Sequence, residues 1–116
     1  DALPISEIYK NMVKKFAERR DYVIERCKQL KNISFFVPQG AFYVFMNISG
    51  VFGGEIGVNN SIDFAALLLN KAHTAVVPGS AFGDDRCIRM TFAASIDEIA
   101  KGFDRIEKFL IMSKVL

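Results

Sequence analysis

An α+β domain, a small antiparallel or mixed sheet of about four strands with helices packed on it, is the fold class that this sequence predicts. Hydrophobic periodicity switches between the helical and strand periods in the order helix, two strands, helix, two strands, helix. Connections of hairpin length between the strands favour an antiparallel or mixed sheet. Composition agrees, since 116 residues, 51% hydrophobic and 24% charged, suit one domain spanning residues 1–116. A chain of this size hides roughly two thirds of its unfolded surface, so a core forms without disulfides or metal.

The first helix is expected from about Ile5 to Leu30, because Tyr9, Phe16, Val23 and Leu30 recur every seven residues with Ile8, Met12, Val13 and Cys27 beside them. Lys10, Lys14, Glu18, Asp21, Glu25 and Lys28 fill its other, solvated face. Strands follow at Ile33 to Val37 and Ala41 to Ile48, and Pro38-Gln39-Gly40 between them breaks continuous pairing. The second strand is apolar on both faces, with Phe42, Val44, Met46 and Ile48 on one and Ala41, Tyr43, Phe45 and Asn47 on the other. Something is expected to cover each side.

Ser49 to Asn60, rich in Gly and Asn, reads as a loop. Ser61 is the expected N-cap of a helix running to about His73, with Asp63 in its first turn complementing the dipole. Thr74 to Val77 reads as a short strand closed by Pro78-Gly79. Asp84-Asp85-Arg86 is a charged turn, and Cys87 to Ala93 the last strand. The final helix has the clearest signature. In Ser95-Ile96-Asp97-Glu98 the capping-box pattern has Ser95 and Glu98 bonding each other's backbone amides, and Ile99, Phe103, Ile106 and Leu110 mark the buried stripe.

Fifteen basic and 13 acidic side chains give a formal charge of +2, with no basic block longer than Lys14-Lys15 or Arg19-Arg20. A nucleic-acid partner is therefore not expected. Cys27 and Cys87 lack C-x-x-C or Cys/His ligand spacing and read as reduced, buried thiols, with no metal. No window approaches the ~18 apolar residues of a membrane span, and nothing resembles a signal peptide. The expected setting is soluble and cytoplasmic. The chain opens at Asp1-Ala2-Leu3-Pro4 without an initiator Met and runs straight into a helix, so it is expected to be a piece of something longer.

Chemistry concentrates on Arg89, one permanent charge inside the apolar strand Cys87-Ile88-Arg89-Met90-Thr91-Phe92-Ala93. Alternation places it away from Ile88, Met90 and Phe92. An unpaired buried charge costs several kcal/mol, and a carboxylate satisfies a guanidinium through a bidentate fork. That carboxylate is either a ligand's or an internal one, such as Asp84, Asp85 or a helix acid; an exposed edge-strand arginine is the third option. The loop Pro78-Gly79-Ser80-Ala81-Phe82-Gly83 either brings backbone close to a ligand or simply turns the chain, and it lacks the pattern of a phosphate loop. His73 falls at a helix end, where it can cap carbonyls. Nine lysines all fall on predicted helices among other charges. None of them reads as a desolvated, imine-forming amine.

Three segments in order, Pro38-Gln39-Gly40-Ala41-Phe42-Tyr43-Val44-Phe45, Ala75-Val76-Val77-Pro78-Gly79-Ser80-Ala81-Phe82-Gly83 and Ile88-Arg89-Met90-Thr91-Phe92-Ala93, resemble the carboxy-terminal part of pyridoxal-phosphate-dependent aminotransferases of the aspartate aminotransferase type. The opening helix with Arg19-Arg20-Asp21 fits as well. The resemblance covers essentially the whole chain but only the last third or so of such an enzyme. It implies a small α+β domain that closes over a cofactor domain. It matches Arg89 to the arginine that grips the substrate α-carboxylate, places Phe42 on the substrate side of the cleft and has the Pro78-Gly79 loop border it. It also implies a homodimeric parent that transfers an amino group from an L-amino acid, aspartate by default, to a 2-oxo acid. The pyridoxal 5'-phosphate and its Schiff-base lysine would belong to a large domain outside this chain, which alone is expected to bind no cofactor and to be inactive. Two alternatives stand beside this one: the small domain of another such enzyme, an acyltransferase or decarboxylase, and a stand-alone amino-acid-binding regulatory module.

Overall fold

The computed structural model describes residues 4–114. The elements follow in the expected order: α1 (Ile5–Lys28), β1 (Ser34–Phe36), β2 (Tyr43–Asn47), α2 (Ser61–Ala72), β3 (Val77–Pro78), β4 (Cys87–Thr91) and α3 (Ile96–Met112). The strands make one sheet in the order β1-β2-β4-β3, antiparallel throughout. The α+β class holds, and every strand is shorter than its apolar run. β3 differs most, lying at Val77–Pro78 rather than Thr74 to Val77. It is an edge strand, where the N–H that Pro78 lacks is not needed for a second ladder.

The register of β2 on β4 sets Val44 opposite Met90 and Met46 opposite Ile88, and all four are buried on one face. Phe64 and Leu68 of α2, Ile99, Phe103, Ile106 and Leu110 of α3, and Val23 and Cys27 of α1 complete a single core with them. Tyr43, Phe45, Asn47, Cys87 and Arg89 alternate onto the other face and are only half-buried, while Thr91 is exposed. Two-sided cover for β2 was the expectation. Among the described residues, helices cover the Val44 face alone; on the other, Phe82 packs edge-on to Phe45 at 5.0 Å.

The seven-residue stripe of α1 is buried only towards its end. Val23 and Cys27 are enclosed, Phe16 is half-buried, and Ile8, Tyr9, Met12 and Val13 are exposed. Geometry explains the difference: 24 helical residues extend about 36 Å, whereas a five-residue strand spans about 17 Å, so the front half of α1 overhangs the sheet. The buried end is tied to α3 by a residue with no apolar signal. Arg26 donates to Tyr22 Oη and Asp104 Oδ1, both at 2.7 Å, reaches Glu107 at 3.2 Å, and stacks on Phe103 with 5.3 Å to the ring centre.

Two helix starts differ in detail from expectation. Asn60, not Ser61, caps α2: its backbone is extended and its Oδ1 accepts the Asp63 amide at 2.8 Å, while Ser61 is used elsewhere. Asp63 does occupy the first turn. Ser95 caps α3 by accepting the Glu98 amide at 3.2 Å, but the capping box is half-made. Glu98 turns to Lys101 at 3.8 Å instead of returning to Ser95. Lys31 and Lys114 lie in turns just beyond α1 and α3 rather than on the helices.

Candidate functional site

β4 lies between β2 and β3, so Arg89 is an interior-strand residue with Phe45 opposite on one side and Val77 on the other. The exposed edge-strand alternative is thereby removed. Its side chain stands on the half-open face, where the guanidinium carbon is 5.0 Å from the centre of the Tyr43 ring and 5.7 Å from that of Phe82. Among the described residues the Arg89 side chain forms no ion pair and no hydrogen bond. Of the acids expected as internal partners, Asp84 and Asp85 are engaged elsewhere, and no helix acid pairs with Arg89 among the described residues. Asp84 forms a fork with Arg86, Nε to Oδ1 and Nη2 to Oδ2 both at 3.0 Å, which holds its carboxyl down to about 2. Asp85 accepts from the Ser61 hydroxyl at 2.7 Å and the Ser61 amide at 3.0 Å, and these bonds lower it as well.

Aromatic stacking occupies the faces of a guanidinium and leaves its in-plane donors free. A planar fork of unused donors, on a strand and flanked by two rings, is suited to a carboxylate. It does not suit a point cation or a neutral hydrophobe.

The turn that carries Phe82 is built tightly. After β3 the chain makes a 3-10 turn over Gly79–Phe82, leaves it through Gly83 in the left-handed region at φ 91°, and closes with the Asp84 amide on the Gly79 carbonyl at 2.9 Å. A Cβ on Gly79 would overlap the carbonyl oxygens of Asp84 and Cys87. Close approach is therefore the reason for this glycine, and what approaches is the chain's own backbone.

Phe42 lies apart from the Arg89 group. It packs on Phe16 of α1, edge-on at 4.7 Å, and on Phe92 at 6.0 Å, and remains 39% exposed. The rings around Arg89 are Tyr43, Phe45 and Phe82 instead. Sequence reading missed that grouping because it depends on cross-strand register, although Tyr43, Phe45 and Phe82 all stand in the segments that carry the family resemblance. His73 is the C-cap of α2, left-handed at φ 52°, and its carbonyl accepts from Arg105 Nη1 at 3.4 Å. It borders a cleft of about 540 Å³ with Lys71, Arg105, Lys108, Phe109 and Met112, whose cations are all exposed. Cys27 is buried, which pushes its thiol up to about 12; Cys87 is half-buried on the Arg89 face, and its thiol is raised by burial and by Asp84. Both thiols are free.

Residues 1–106 match the model of the family described as aminotransferase class I and II. This chain belongs to that family. Over 112 residues it is 41% identical to the bifunctional aspartate aminotransferase and glutamate/aspartate-prephenate aminotransferase of Petunia hybrida, covering 93% of this chain and 23% of that protein. With the aspartate aminotransferase of Thermotoga maritima the identity is 38%, over 94% of this chain and 26% of the relative. Among solved structures, the aromatic aminotransferase of Pyrococcus horikoshii superposes with a TM-score of 0.80 at 30% identity, covering 95% of this chain and 28% of that one. The aspartate aminotransferase of Rhizobium meliloti gives 0.77 at 39%, covering 84% and 25%. The chain thus spans about a quarter of the length of the relatives it matches.

Aminotransferases of this family depend on pyridoxal phosphate, which supplies the electron sink for chemistry at the amino acid's α-carbon. Among the described residues, the donor set around Arg89 does not compose a site for it. Every described lysine is exposed, and the group around Arg89 is one cation among aromatic rings. It fits a carboxylate.

Proposed function

We propose that this chain is the carboxy-terminal, substrate-closing domain of a pyridoxal-phosphate-dependent aminotransferase, and that Arg89 binds the α-carboxylate of the amino acid and of the 2-oxo acid. The observation that carries the reading is Arg89 itself: an interior-strand guanidinium on the half-open sheet face, held between Tyr43 and Phe82, with no internal acid paired to it among the described residues. The family membership supports the chemistry. The names of the relatives favour aspartate as the amino donor.

In this reading the chain contributes positioning. A bidentate contact fixes both the distance and the plane of the carboxylate, and so the direction of the α-carbon. Tyr43 and Phe82 exclude water beside the ion pair, and in that drier surrounding the charge pair is stronger. Phe42, 39% exposed just ahead of β2, borders the substrate side of the cleft from the Phe16 edge, apart from the rings that flank Arg89. The cofactor, its lysine and the partner for the uncovered sheet face and the overhanging half of α1 lie in the larger part of the polypeptide, and the parent works as a cytoplasmic homodimer. The match to class I and II aminotransferases favours this over an acyltransferase or decarboxylase domain.

The test compares residues 1–116 with the complete native polypeptide, sized by an antibody against this domain. Amino transfer from aspartate to a 2-oxo acid is expected from a polypeptide several times heavier than 13.0 kDa and not from residues 1–116 alone. A native polypeptide of 13.0 kDa would overturn the reading and leave a small amino-acid-binding module in its place.

A further inference from the structure

Ser61 is fully buried at the first position of α2, although serine at a helix start is ordinarily a solvated cap. Here Asn60 does the capping, and the Ser61 hydroxyl is free for other work. It donates to Asp85 Oδ1 at 2.7 Å and accepts the Ser80 amide at 3.1 Å. The Ser61 amide donates to the same Asp85 oxygen at 3.0 Å. One side chain therefore joins three pieces of chain that are distant in sequence: the start of α2, the charged turn before β4, and the turn over Gly79–Phe82.

That last turn bears Phe82, whose ring lies against the Arg89 guanidinium and edge-on to Phe45. Ser80 is two residues from Phe82, inside the same 3-10 turn. From these contacts we infer that Ser61 is a positioning residue for the carboxylate site, acting through Ser80 and Phe82 to hold Arg89 in its binding orientation. The inference rests on the function proposed for Arg89. Three features favour it over simple burial of a small residue: both hydrogen-bonding functions of the hydroxyl are used, its acceptor is a carboxylate, and the amide it holds belongs to the turn beside Arg89. Deleting the hydroxyl leaves the Ser80 amide without its acceptor and removes one of the two donors on Asp85. The bond between that amide and the hydroxyl is part-buried and a donor left unmade there is costly, so the turn relaxes to recover solvent and Phe82 moves off the guanidinium.

The experiment uses the complete polypeptide and four variants: Ser61→Ala, Asp85→Asn, Arg89→Lys, and Ser61→Ala combined with Arg89→Lys. The readouts are KM and kcat for aspartate, with circular dichroism and thermal melting as controls of folding. We expect Ser61→Ala to raise KM roughly tenfold while kcat changes by less than about threefold. In the Arg89→Lys background the same change should raise KM by less than about twofold, because the group being positioned is already gone. Asp85→Asn is the second route to the same network, should Ser61→Ala fail to fold, and is expected to raise KM in the same direction. An unchanged KM in Ser61→Ala, or an equal rise in both backgrounds, would overturn the positioning role and leave the Arg89 assignment standing. A wild-type KM in Arg89→Lys would overturn that assignment and this inference with it. Failure of both Ser61→Ala and Asp85→Asn to fold would also overturn the inference, making the network a folding element only.

Discussion

Tyr43 and Arg89 are diagonal neighbours across the β2–β4 ladder, and the guanidinium carbon of Arg89 stands 5.0 Å from the centre of the Tyr43 ring. Diagonal pairs on one face of an antiparallel sheet are within reach of long and aromatic side chains, so the register alone brings ring and cation together. Replacing the ring with an aliphatic group keeps the strand and removes the stacking. Tyr43→Leu is expected to weaken amino-acid binding by about 0.5–1 kcal/mol, a two- to fivefold rise in KM in the complete enzyme, with the thermal midpoint little changed.

Gly79→Ala tests the turn that carries Phe82. The added methyl meets the carbonyl oxygens of Asp84 and Cys87, which are backbone and cannot swing aside as a flexible side chain would. A loss of roughly 1–3 kcal/mol in denaturant unfolding is expected, as for other overpacked sites. Gly83→Ala should also destabilise, because φ there is 91° and a Cβ disfavours that backbone.

How far the molecule could be read beforehand depends on the range of the interaction involved. Ser95 and the stripe of Ile99, Phe103, Ile106 and Leu110 were legible because cap and stripe are set within one helix. Ser61 was misassigned as a cap because Asn60, also a good cap, precedes it, and what claims Ser61 is Asp85, 24 residues away. Tyr9 and Met12 continue the apolar pattern of Val23 yet are exposed, since periodicity shows which face is apolar and not how much sheet lies beneath it. Arg26 was invisible for the opposite reason: a charged residue reads as solvated until Asp104 and Glu107 are seen beside it. At the site, Arg89 was legible as a charge in an apolar strand. Its ring neighbours required the register.

Arg26→Met should destabilise the fold by about 2 kcal/mol, because it removes bonds to Tyr22 and Asp104 and leaves the partly buried Glu107 carboxylate without its cation. Urea unfolding of residues 1–116 measures this. Glu107→Gln in the Arg26→Met background should recover part of the loss by removing the stranded charge.

Acid should loosen the charged turn before β4. Hydrogen bonds from Arg86 lower Asp84 from 3.8 to about 2, and bonds from Ser61 lower Asp85. Groups with depressed values bind fewer protons in the folded state than in the unfolded one, so they stabilise the fold above pH 4. That contribution is lost as pH falls from about 4 towards 2. The thermal midpoint should drop across this window, and the drop should be smaller in Asp84→Asn.

The most direct measurement is the specificity constant of the complete polypeptide carrying Arg89→Ala, with aspartate as donor and pyridoxal phosphate saturating. Loss of a bidentate charged contact predicts a decrease of several kcal/mol, about a hundredfold or more in kcat/KM, with cofactor absorbance and thermal midpoint unchanged. A decrease of less than tenfold would contradict the claim that Arg89 holds the substrate carboxylate.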